Sequence, residues 1–152
     1  MFILEAADAL EKAAVKFAVA GGYAVALHGA VRGTLDVDIV LAMTKDNFVA
    51  AEKALSSLGL SSRLPVNAGE VFSFRKEWLE RRNLIAWSFL DPEDPTRVLD
   101  IVLTWELKPA DVVRMRVAGH DLPVLSKSAL VAMKRAAGRP QDLADVDALE
   151  RP

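Results

Sequence analysis

Val19-Ala20-Gly21-Gly22, followed after a spacer by Arg32-Gly33-Thr34-Leu35-Asp36-Val37-Asp38-Ile39, is the stretch on which the reading of this chain turns. An apolar strand, Phe17–Ala20, ends in two glycines, and a second strand, Leu35–Ala42, carries two carboxylates. Alternate side chains of a strand share a face, so Asp36 and Asp38 point the same way, about 7 Å apart. Val37, Ile39, Val40 and Leu41 supply the apolar wall around them. Two carboxylates at the mouth of an apolar sheet repel each other and are costly to desolvate. A hard divalent cation such as magnesium, which takes oxygen ligands, relieves both problems. Tyr23 to Ala30 reads as a short helix whose first backbone N–H groups open beside the carboxylates, an anion site for a nucleotide phosphate. A cation pair beside an anion cradle describes a nucleoside triphosphate with its magnesium. The alternatives are a solvated Asp-x-Asp edge and an ordinary glycine turn between strand and helix.

The residues Ala20, Gly21, Gly22, then Asp36 with Asp38, resemble the motif of the nucleotidyltransferase superfamily (DNA polymerase β-like). The fuller string Arg32-x-Thr34-x-Asp36-x-Asp38 is similar to the small bacterial branch that includes the AbiEii-type toxins. Gly22 departs from the serine of the best-known members, and with it goes a hydroxyl that would contact a phosphate. The resemblance implies a mixed α/β (α+β) sheet flanked by helices, NTP as substrate and two magnesium ions. It places Gly21, Gly22, Arg32 and Thr34 around the nucleotide and gives Asp36 and Asp38 the metal. It also implies a third carboxylate on a neighbouring strand. Arg97-Val98-Leu99-Asp100-Ile101-Val102-Leu103 is an apolar run broken by one acid, as a buried strand reads, and a lone Asp there needs a partner or a metal. Asp100 is the expected third carboxylate, to which the resemblance gives the role of general base for an acceptor hydroxyl or of extra metal ligand; the alternative pairs it with a nearby arginine such as Arg32. Asp91 and Asp94, in the turn-rich Asp91–Pro95, read as solvated loop acids.

Near the C-terminus, Ser126-Lys127, Lys134-Arg135, Arg139-Pro140-Gln141-Asp142 and Asp145 resemble the lysine, Arg-x-x-Asp and following Asp of the AbiEii-like branch. That likeness turns a basic side chain toward the triphosphate, Lys134 first and Lys127 second, each as a point charge. A structural reading stands beside it: Pro140 starts a helix, Asp142 supports its N-terminus, and Arg139 or Asp145 forms a surface pair.

The chain has 152 residues, the size of one domain with a real core. It is 52% hydrophobic, with a mean hydropathy of +0.20. No apolar run approaches the ~20 residues of a membrane span, and the start Met1–Glu5 lacks the marks of a signal peptide. Cytoplasm is expected. Absence of cysteine excludes disulfides and thiolate metal sites. The net charge of −2 excludes a wholesale basic nucleic-acid binder. The local cluster Arg75, Lys76, Arg81, Arg82 reads as a solvated helix face partnered by Glu77 and Glu80, or else as a grip on an RNA backbone. His28 reads as a packing residue and His120 as a turn residue.

Helices are expected over 4–16, from Thr44 to about Leu58, partly over 69–82, and near Ser126–Ala137 and Arg139–Leu149. Hairpins are expected from Leu84–Leu90 with Arg97–Trp105 and from Val112–Val117 with Leu122–Leu125. The expectation is a single-domain, magnesium-dependent enzyme moving a nucleoside monophosphate from an NTP to a hydroxyl of RNA, protein or a small molecule. By resemblance it is similar to the toxin of a toxin–antitoxin pair, with an antitoxin partner, or to an antibiotic-modifying enzyme. The apolar excess points to a homo-oligomer or partner surface. The alternatives are a catalytically weak nucleotide-binding module and a subunit whose site a partner completes.

Overall fold

The apolar runs of the sequence become the inner strands of one seven-stranded mixed sheet. The computed structural model describes residues 1–29, 36–82 and 85–151. Arg32, Thr34 and the expected strand starts at Leu35 and Leu84 lie outside them. In chain order the elements are α1 (Phe2–Lys12), β1 (Phe17–Ala20), α2 (Gly21–Leu27), β2 (Val37–Leu41), α3 (Lys45–Ser57), β3 (Ser61–Ser62) and α4 (Ala68–Arg81). They continue as β4 (Ala86–Asp91), β5 (Asp94–Val102), β6 (Val112–Val117), β7 (His120–Leu125), α5 (Lys127–Ala137) and α6 (Pro140–Glu150). The strand order is β3-β4-β5-β2-β1-β7-β6. β2 lies antiparallel to β1 and parallel to β5, and β7 runs parallel to β1 on its other side.

Local chemistry sets the element ends. Thr44 caps α3 by accepting from the Asn47 N–H at 3.2 Å. α4 is helical throughout rather than in part, because Asn67 and Glu70 form a reciprocal capping box that offsets Gly69 in the first turn. α1 stops at Lys12, short of the expected residue 16, and α2 starts at Gly21, two residues before the expected Tyr23. Asp91 and Asp94 lie at strand ends rather than in a loop, closing β4 and opening β5 around the turn, and the Asp94 carboxylate is solvated as expected. Asp91 meets Arg97 at 3.3 Å, and the Asp94 carboxylate accepts from the Thr96 N–H and hydroxyl.

The two faces of the sheet differ. On one face Phe17, Val19, Val37, Ile39, Leu41, Trp87, Phe89, Leu99, Ile101, Leu122 and Val124 are all buried. Arg97, on this face, shows what covers it. Its guanidinium reaches Glu5 of α1 at 3.0 Å and the Leu58 carbonyl after α3 at 3.3 Å, and stacks over the Phe2 ring. The other face is buried only in part. Ala18, Ala20, Val40 and Leu125 are covered, while Asp38, Ser88, Asp100 and their neighbours on β4 and β5 are half-buried.

Asn47 ties the base of this sheet together. Its side-chain oxygen accepts from the Lys16 N–H at 2.8 Å, and its amide donates to the Lys16 and Ala42 carbonyls at 2.9 and 3.0 Å. The first turn of α3 is thereby fixed to the start of β1 and the end of β2. Asn47→Ala leaves buried backbone groups unpaired and should lower unfolding free energy by about 3 kcal/mol. Urea denaturation reads this as a lower midpoint with an unchanged slope.

Candidate active site

Register builds the site. Asp38 lies directly beside Asp100 across the parallel β2–β5 pair. Ala20 stands opposite Asp38 on β1, and Ser88 opposite Asp100 on β4. One row of four side chains, Ser88–Asp100–Asp38–Ala20, therefore crosses the half-open face. Neighbouring strands are about 4.8 Å apart, so the two carboxylates face each other at close quarters. The Ser88 hydroxyl donates to Asp100 Oδ1 at 2.5 Å, fixing that carboxylate's orientation.

Gly21 is where the chain must be glycine. It takes φ +62°, which turns β1 into α2 directly over Asp38, and a Cβ there would lie 2.1 Å from Asp38 Oδ2. The carboxylate occupies the notch that the missing side chain leaves. α2 has seven residues. At its far end the His28 Nε2–H donates to the Leu125 carbonyl at 2.8 Å, tying the helix to the end of β7. Gly22 is buried in the first turn of α2.

The structure thus brings together Gly21, Asp38 and Asp100. Asp36 precedes β2 and is exposed. Among the described residues no three acidic or histidine side chains gather as a metal site. The donors of the row are all oxygen, two carboxylates and a hydroxyl, which suits a hard divalent cation. Sequence reasoning missed Ser88; its signal was a lone hydroxyl in the apolar strand Ala86–Leu90, which pairs with the strand of Asp100.

No protein-family model matches the chain, and no curated protein matches it. Solved structures do. One is a solution structure of the antibiotic-resistance factor ANT(2″)-Ia, with TM-score 0.62, 12% identity and coverage of 97% of this chain and 80% of that one. A crystal structure of ANT(2″)-Ia in complex with adenylyl-2″-tobramycin gives 0.60 at 12% identity, over 97% and 84%. The lincosamide antibiotic adenylyltransferase LnuA, lincomycin-bound, gives 0.59 at 16% identity, over 94% and 90%. The chain has the nucleotidyltransferase fold.

Within that fold, α5 starts beside the site. β7 runs parallel to β1 with Val124 against Val19, so both helices that follow these strands begin on one edge of the sheet. Ser126 caps α5 by accepting from the Ala129 N–H, and Lys127, its first residue, is exposed. Lys134, two turns on, is buried between α5 and α6, its ammonium 2.9 Å from Asp145 and 3.5 Å from Asp142. Arg139 closes the cluster, donating to Asp142 at 2.7 Å. Burial pushes the Asp142 carboxyl up, but the hydrogen bonds from the Arg139 side chain and N–H and the charges of Arg139 and Lys134 outweigh it. The carboxyl is held below its ordinary 3.8. The basic cluster on α4 is broken up: Arg75 donates to the Leu103 carbonyl at 2.7 Å and Arg81 lies 3.7 Å from Glu77.

Two outcomes follow from these contacts. Gly21→Ala displaces the Asp38 carboxylate and strains the turn, which should lower unfolding free energy by about 2 kcal/mol, read by urea denaturation. Gly29→Ala, also at positive φ but with open space around it, should cost less, because only the backbone strain remains. A carboxyl depressed in the folded state stabilises above its unfolded pKa, and that stability is lost as pH falls below 3.8 through the folded value. Asp142→Asn should therefore cost on the order of 2 kcal/mol at neutral pH and flatten the acid limb of the stability profile, measured by urea unfolding between about pH 5 and 2.

Proposed function

We propose that the chain is a metal-dependent nucleotidyltransferase that moves a nucleoside monophosphate from an NTP to a hydroxyl acceptor. The observation that carries this reading is the Asp38–Asp100 pair, in register on parallel strands and seated against the Gly21 notch. Two carboxylates side by side with a hydroxyl next to them form an all-oxygen donor set of the kind a hard divalent cation takes. In this reading Asp38 and Asp100, with Asp36 just before β2, would hold the magnesium. Magnesium bound there would neutralise charge on the triphosphate as the acceptor oxygen bonds to the α-phosphorus and pyrophosphate leaves. Gly21 and Gly22 present backbone to the phosphates, and Arg32 and Thr34 precede the carboxylates as phosphate partners. Lys127, exposed at the first turn of α5, offers a cation to the triphosphate. Lys134 joins only by exchanging Asp142 and Asp145 for phosphate. Ser88 holds Asp100 Oδ1, which leaves Oδ2 to take the proton of the acceptor hydroxyl.

The AbiEii-like string at Arg32–Asp38 supports a toxin of a toxin–antitoxin pair as the setting. The antibiotics in the similar structures support a small-molecule acceptor instead. Among the described residues no helix is long and apolar enough to cross a membrane.

Calorimetry with ATP, with and without magnesium, tests the proposal. Wild type should bind only with the metal, and Asp38→Ala should weaken binding by about 100-fold or more, as loss of a charged metal ligand does. Metal-independent binding that survives Asp38→Ala would overturn the catalytic reading in favour of a nucleotide-binding module.

A further inference from the structure

The acceptor's chemistry is written on the strands beside Asp100. Gly21 and α2 occupy the Asp38 end of the row, so an acceptor reaches Asp100 from the Ser88 end, across β4 and β5. On this face the Ser88–Asp100 pair is bracketed by Leu90 opposite Val98 on one side and Ala86 opposite Val102 on the other. All four bracketing side chains are aliphatic and half-buried. Asp100 is the one charge among the six side chains of this strip. At its outer border the Arg63 N–H donates to the Ser88 carbonyl, and the Arg63 side chain is exposed.

A polycationic acceptor needs several carboxylates besides the one that takes its proton, and the strip offers none. An RNA acceptor needs a run of basic side chains along its backbone, and a single border arginine is not one. Aliphatic pairs on both sides of one polar pair suit a ligand that buries apolar surface and presents a hydroxyl in its middle. We propose that the acceptor is an uncharged, hydroxyl-bearing small molecule with an apolar face, seated on the Leu90/Val98 and Ala86/Val102 pairs. This assignment rests on the nucleotidyltransferase reading.

The test is methyl NMR of the whole chain titrated with 4-nitrophenyl β-glucoside, an uncharged hydroxyl compound with an aromatic group. Tobramycin and a single-stranded oligoribonucleotide are titrated in parallel, and ATP–magnesium binding is measured on the same sample. The glucoside should shift the Leu90, Val98 and Val102 methyls. Leu90→Gln and the milder Val98→Thr should each raise its Kd by about tenfold with the rest of the spectrum unchanged. ATP binding without any shift of these methyls overturns the acceptor assignment and leaves the nucleotidyltransferase reading standing. Shifts caused by tobramycin or RNA and not by the glucoside overturn it as well. Failure of ATP–magnesium to bind overturns the nucleotidyltransferase reading, and this assignment with it.

Discussion

Asp38 and Asp100 are held against each other by backbone register, and much of the structure serves that confrontation. β2 is sandwiched between β1 and β5, so its position cannot relax to separate the charges. The buried side chains of the opposite face, Val37, Ile39, Leu99 and Ile101, fix the same two strands from behind. A one-residue slip would bury the carboxylates and expose that core, so hydrophobic burial itself enforces the charge pair. Gly21 completes the constraint by giving the Asp38 carboxylate the only space a Cβ would have taken.

A second polar cluster does the opposite kind of work. Lys134, Arg139, Asp142 and Asp145 carry balanced charge in the α5–α6 interface, and their pairings are complete enough to keep Asp142 ionised despite burial. This cluster sets the angle at which α6 meets α5, and α5 in turn packs on α2. The helix that opens over the carboxylates is therefore braced from the C-terminal end of the chain, by α5 and by the His28 bond to Leu125. A charged cluster thus braces the helices, while the Asp38–Asp100 pair lies on the half-open face of the sheet.

Much of this was legible in the residues. Apolar runs that alternate with turn signals gave the strands, and Asp100 stood out because a carboxylate in an apolar run must have a purpose. Its register with Asp38 was not legible, since strand order depends on long-range packing that local periodicity does not encode. Ser88 escaped notice because one hydroxyl in a strand carries no local signal until the partner strand is known. The α4 helix was under-read because Gly69 masks a capping box that lies in plain view at Asn67 and Glu70. The solvated-face reading of the basic side chains of α4 holds for Arg81 with Glu77, whereas Arg75 turns inward to a carbonyl that only the packed structure reveals. For Lys134 the residues alone carry a phosphate-facing and a structural reading, and helix packing sets its ammonium between Asp142 and Asp145.

The central claim is that Asp38 and Asp100 share one cation. Manganese, which replaces magnesium at oxygen sites and broadens nearby resonances, tests it directly when added with a non-hydrolysable ATP analogue. The account predicts selective loss of the Gly21, Asp38, Ser88 and Asp100 amide signals at substoichiometric manganese, abolished in Asp38→Ala. Broadening centred elsewhere, or identical in the wild type and the variant, would contradict it.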